Sequence, residues 1–193
     1  MTFNGISWGY VDASQTGPYA YNAPRILKML NTCAHGGGNL LLNIGPKPDG
    51  SVPDDAIEPL KTVGAWLREN GDAAYGRMTR FTQSGGGNGV TTVSQKGNTN
   101  YLWNWIWPTG GSMGLGGYQN APRRVYLVRD GSPIEFEHRG QRIILKNLPP
   151  VSPDPICGVA AIAMEFDEAP QYTFASYYPP LHHGTDFAPD GKL

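Results

Sequence analysis

The sequence predicts a mixed α+β fold in two unlike parts, a helix–strand–helix unit followed by an antiparallel β-sandwich. Three observations predict it. Leu40, Leu41, Leu42 and Ile44 form a short apolar run fenced by Gly36-Gly37-Gly38 and Gly45-Pro46. Apolar residues at helical spacing flank that run on both sides. Beyond Gly76 the rhythm changes to short strands punctuated by turn residues.

The first part is read in chain order. Asn22 is placed to cap a helix on which Ile26, Leu27, Leu30, Cys33 and Ala34 fall on one stripe. The apolar run from Asn39 to Ile44 lacks alternation, which suits a strand buried on both faces. A second helix follows, with Ile57, Leu60, Val63, Trp66 and Leu67 as its apolar face. Asp54-Asp55 complement its dipole, and Pro59 predicts a late start or a kink. Asn70-Gly71 closes it, the glycine being expected in the left-handed conformation. Helix, buried strand and helix make a piece of an α/β layer.

In the second part, Val90–Gln95 and Asn100–Trp107 flank the turn Lys96-Gly97-Asn98-Thr99, a hairpin pattern. Arg123 to Asp130 reads as a strand ended by Asp130-Gly131, and a second hairpin turns at Arg139-Gly140. Cys157 to Phe166 is apolar enough for a central strand. Strands at this spacing predict a small β-sandwich. Ser84 to Gly89 reads as the loop entering it, since no phosphate-loop lysine follows. The chain thus divides into residues 1–76, a sandwich over 77–169, and an irregular aromatic-rich tail, 170–193.

Composition narrows the function. With 15 Lys+Arg against 16 Asp+Glu, the net charge of -1 carries no basic stripe, which argues against nucleic acid and anionic membranes as partners. No apolar run approaches the ~20 residues of a membrane span, and MTFNGISWGY lacks a signal peptide's basic start, so a soluble protein of unassigned compartment is expected. Cys33 and Cys157 match no metal pattern and read as buried free thiols. His182-His183 reads as a solvated pair rather than a metal site, and no cofactor is expected.

The stretch GGNLLLNIGPKPDGSVP with WLRENGDAAYG, preceded by MTFNGISWGY, resembles the end of the catalytic barrel in α-L-fucosidases of glycoside hydrolase family 29. Tyr101 to Pro108 and RRVYLVRDG resemble the sandwich of the same family. The resemblance implies that residues 1–76 correspond to the C-terminal remnant of a (β/α)₈-like barrel. It makes Asn39–Ile44 the last strand and Gly45–Gly50 the loop at the end that carries active sites. It implies a carbohydrate partner, a fucosylated or related glycan. Family members are retaining hydrolases with an aspartate nucleophile and a glutamate acid/base. Both roles lie N-terminal to the matched segment, so neither transfers to a residue here. The remaining barrel half, or self-association into a homo-oligomer, is expected to cover the open edge.

By the resemblance Trp8 carries over best, as an apolar wall suited to a deoxy-sugar's methyl group, with Tyr10 in the same stretch; the alternative is an indole merely packed, without the rest of the barrel. Tyr101, Trp103, Trp105 and Trp107 alternate, so a flat strand points all four to one face. That face is either sandwich core or a sugar-stacking platform, and Trp103 and Trp105 are its binding candidates. Asp49 reads first as the aspartate of a Pro-Asp-Gly turn. Were the chain a hydrolase in its own right, Asp12, Asp49, Asp54 and Asp55 would be the carboxylates to test. The alternatives are a glycosidase, a non-catalytic carbohydrate-binding or assembly module, and an inactive fragment.

Overall fold

The computed structural model describes residues 2–17, 21–79 and 91–172. The helices are α1 (Ala13–Thr16), α2 (Ala23–His35) and α3 (Asp54–Asn70), the last continuing into a 3₁₀ turn, Gly71–Ala73. The strands are β1 (Thr91–Lys96), β2 (Thr99–Asn104), β3 (Met113–Gly116), β4 (Arg124–Leu127), β5 (Phe136–Arg139), β6 (Arg142–Leu145) and β7 (Ala160–Glu165). They form two antiparallel sheets, ordered β1-β2-β7-β4 and β3-β6-β5.

Three layers result, and the four-stranded sheet is the middle one. Its outer face packs on the helices, where Ile26, Leu27, Val63 and Trp66 meet Trp103, Ala161 and Ala163. Its inner face packs on the second sheet, where Leu102, Ile162 and Met164 meet Leu115, Ile143 and Leu145. A strand covered on both faces has no solvent side to be polar on, so β7 is apolar from Ala160 to Met164 and only its last residue, the half-buried Glu165, is charged. Its helix-facing positions are alanines, which leave room for Trp66 and Trp103 to lie at 4.6 Å between ring centroids.

Both hairpins form as expected: β1 and β2 turn through Gly97 (φ 58°), and Arg139 pairs with Arg142 across Gly140 (φ 60°). Asn22 caps α2, its Oδ1 accepting the Arg25 N–H at 3.0 Å. Cys33 and Cys157 are free thiols, both half-buried, and burial pushes the Cys157 thiol up to about 11. The Gly-rich run before Tyr118 contributes β3.

Three expectations need correction. Residues 39–44 form an extended segment with a single parallel bridge, Thr2 to Asn43, and Leu41 is 67% exposed. Leu42 and Ile44 pack on the core, so one face is covered. A parallel strand buried on both faces needs a neighbour on each edge, and among the described residues only 2–3 run beside this one. Gly71 has φ -58°, a helical value, because the chain tightens into a 3₁₀ turn before the left-handed glycine at Gly76 (φ 93°). Pro59 sits inside α3, which begins five residues before it at Asp54 rather than starting late. The Ser84–Gly89 run, His182-His183 and the tail beyond Tyr172 lie outside the described residues.

Candidate functional site

The loop from Asn4 to Tyr10 stands on the segment 43–45. Asn4 begins it with a side-chain turn: its Oδ1 accepts the N–H groups of Ile6 and Ser7, both at 2.9 Å. Its Nδ2 donates to the Gly9 carbonyl at 2.9 Å, so one amide closes the loop at both ends. Gly5 takes φ 74° within it. Asn43 then ties the loop down, its Nδ2 donating to the Trp8 carbonyl at 2.8 Å. At Gly45 the two backbones touch. A Cβ built there would lie 2.4 Å from the Gly9 carbonyl carbon and 2.5 Å from the Tyr10 nitrogen. The result is a fixed backbone presenting a Trp8 side chain that is 60% exposed, with Ile6 at 68%.

A polar cluster follows the indole. The Tyr10 hydroxyl donates to Asp12 Oδ2 at 3.3 Å, and Asp12 Oδ1 accepts the Ser14 N–H. Hydrogen bonds from Ser14 hold the Asp12 carboxyl below its ordinary value. Lys47 donates to Asp54 at 2.9 Å, and that bond pushes its ammonium up. The negative charges of Asp54 and Asp49 act in the same direction. Asp49 accepts from the Ser51 N–H and hydroxyl at 2.9 and 2.7 Å, while Gly50 takes φ 84°. This is the Pro-Asp-Gly turn expected, and those bonds lower the Asp49 carboxyl. Asp55 lies exposed in the first turn of α3.

These contacts define what the carboxylates can do. A general acid needs a raised pKa, whereas Asp12 and Asp49 are shifted downward by bonds to their own loops. Asp54 is engaged as the partner of Lys47. An exposed indole on the same short segment as a phenol and a carboxylate is the kind of group that holds a sugar, with the ring face on C–H groups and the polar groups on hydroxyls.

The tryptophan stripe is divided between layers. Trp103 is fully buried against Trp66, and its Nε1 donates to Ser94 at 3.0 Å. Trp105 is half-buried, stacks on Trp103 at 6.1 Å and donates to Thr92 at 2.9 Å. Trp107 lies past the end of β2 and packs in the other core, its Nε1 on the Pro149 carbonyl. One continuous aromatic face requires a strand that stays flat through residue 107, and β2 ends at Asn104. A separate apolar groove of about 860 Å³ runs along α3 between Val52, Leu60 and Ile156, with neither an aromatic nor a carboxylate in its wall. Among the described residues no three His, Cys, Asp or Glu side chains gather as a metal would need, and no helix is long and apolar enough to cross a membrane.

Sequence reading missed Asn4, Asn43, Gly45 and Lys47. The Asn-Gly pair at residues 4–5 is a turn signal available from sequence. The contacts of Asn43 and Gly45 with a loop 35 residues away leave no local trace.

The family model described as alpha-L-fucosidase matches residues 1–72. Human plasma alpha-L-fucosidase is 32% identical over 156 residues, covering 77% of this chain and 32% of the relative. The Branchiostoma floridae alpha-L-fucosidase is 31% identical over 137 residues, covering 70% and 30%. Among solved structures, the Thermotoga maritima alpha-fucosidase in complex with fucose superposes with a TM-score of 0.71 at 26% identity, covering 85% of this chain and 38% of that one. For alpha-L-fucosidase isoenzyme 1 from Paenibacillus thiaminolyticus the values are 0.73, 25%, 87% and 39%. The chain spans about a third of the length of the curated relatives it matches. Each of these relatives is a glycoside hydrolase of the same kind, and the relationship runs through both the helical part and the sandwich. Within that class, the chain belongs to the α-L-fucosidase family.

Proposed function

We propose that this chain recognises α-L-fucosides, with Trp8 as the apolar wall that meets the sugar's methyl group and the polar groups of Tyr10 and Lys47 serving the hydroxyls. The observation that carries the reading is the exposure of the Trp8 indole on a tied-down loop, within the segment that matches the family. The solved Thermotoga relative binds fucose, and a family relationship supports the same sugar class here. Asp12, Asp49 and Asp54 are committed to local bonds, which favours binding over turnover by these residues alone.

The test is a titration with methyl α-L-fucoside followed by NMR, beside an assay with an aryl α-L-fucoside. Saturable shifts of the Trp8 indole are expected, weaker with methyl α-L-galactoside, which carries a hydroxymethyl group in place of the methyl. Absence of any saturable binding overturns the reading. Turnover that co-purifies with the chain overturns its non-catalytic half.

A further inference from the structure

The geometry assigns Asn4 and Asn43 as positioning residues for Trp8: two side-chain amides on separate segments fix the backbone on both sides of the indole, and Gly45 provides the seat. The role of the indole rests on the fucoside reading above; the fixing of the loop does not.

Trp8 is 60% exposed, so packing of its own ring cannot define where it points. Order has to come from the backbone, and the backbone bonds converge on three residues. Asn4 Oδ1 takes the N–H groups of Ile6 and Ser7, and Asn4 Nδ2 reaches the Gly9 carbonyl. Ser7 adds a weaker link, its Oγ accepting the Gly9 N–H at 3.2 Å. Asn43 Nδ2 holds the carbonyl of Trp8 itself at 2.8 Å. Asn4 is only 9% exposed, which shields its bonds from competing water. The segment carrying Asn43 is anchored in turn, since its carbonyl accepts the Phe3 N–H at 2.9 Å and Phe3 is buried in the helix-side core. Gly45 completes the fit by lacking a Cβ where Gly9 and Tyr10 approach.

Both asparagines are needed as amides. Asn4 must accept and donate at once, which neither aspartate nor leucine can do. At Asn43 an aspartate would set a carboxylate against the Trp8 carbonyl, two acceptors facing each other.

The experiment uses the intact chain labelled with ¹⁵N, its Trp8 indole cross-peak assigned by Trp8→Phe. In Asn43→Asp and Asn4→Asp, the heteronuclear NOE of the Trp8 indole is expected to fall, while the indole peaks of Trp66 and Trp103 stay in place. Affinity for methyl α-L-fucoside is expected to drop about fivefold, the worth of one ordinary hydrogen bond. Asn43→Gln, which keeps the amide, is expected to recover part of it. Gly45→Ala reaches the same loop by a different route and decides the matter should an asparagine variant fail to fold. An unchanged Trp8 NOE in the folded variants overturns the positioning role. Loss of Trp8 order in a protein that never bound fucoside keeps the positioning role and overturns the reading of the sugar.

Discussion

The indole Nε1 of Trp66 donates to the carbonyl of Val159 at 2.7 Å, joining α3 to the start of β7 across 93 residues of sequence. Both partners are buried, Trp66 fully. The bond therefore sits where the helix layer meets the sandwich, with Trp103 packed at a tilt against the same ring. Trp66→Phe keeps an aromatic in the space but leaves the Val159 carbonyl without its donor. That costs about 2–3 kcal/mol, seen as a fall in Tm of roughly 5–10 °C by calorimetry. A change below about 1 °C would mean that another donor replaces the indole.

The two glycines after α3 should respond to alanine with opposite signs. Gly71 has φ -58°, a value any residue adopts, and its new Cβ would meet only the ring edge of Tyr75, itself 60% exposed and able to swing aside. Gly71→Ala is expected to be neutral or to stabilise by about 0.5 kcal/mol, through lower entropy of the unfolded chain. Gly76 has φ 93°, where a Cβ is strained, so Gly76→Ala is expected to destabilise by about 1 kcal/mol. Urea denaturation of the pair checks both signs in one series.

Glu165 gives stability a pH dependence of known direction. Burial alone would raise its carboxyl, but hydrogen bonds from Tyr126 at 2.8 Å, Arg123 at 3.1 Å and Arg124 at 3.0 Å outweigh that and bring it below 4.5. A carboxyl whose folded pKa is lowered contributes stability that is present above its ordinary value and is lost as pH falls through the folded one. Glu165→Gln should therefore lower Tm at pH 7 relative to the parent, and the gap should narrow below pH 4.5. A gap that stays constant down to about pH 3 would place its cause in packing rather than charge.

The parts legible in the sequence are those whose cause is local. Gly97 and Gly140 sit at hairpin turns because two-residue loops need positive φ, and Asn22 caps α2 through a residue three positions away. Long-range causes hid the rest. β3 is written Met113-Gly114-Leu115-Gly116, and its glycines mask a strand defined by pairing with β6 thirty residues later. The alternation of Tyr101 to Trp107 predicts one face, yet the strand ends at Asn104 and delivers Trp107 to the other core. In the candidate site, Trp8 stood out through its motif. The amides of Asn4 and Asn43 became visible only when residues 4–9 and 43–45 were seen in contact.

Two tryptophans that are both sugar-binding candidates by sequence should separate cleanly. Trp8 is 60% exposed and no core depends on its ring, so Trp8→Ala is expected to leave Tm within about 1 °C and weaken methyl α-L-fucoside binding about tenfold or more. Trp105 is the reverse case. It stacks on Trp103 and donates to Thr92, both in the sheet, and has the Lys28 ammonium of α2 6.0 Å from its ring. Trp105→Ala is expected to cost about 2–4 kcal/mol of stability and to leave the affinity of the folded fraction unchanged. Calorimetry and an NMR titration on both variants check the four outcomes together. Should Trp105→Ala abolish binding at full stability while Trp8→Ala does nothing, the sugar surface lies along α2 and the sheet, and the Asn4–Tyr10 loop has another role.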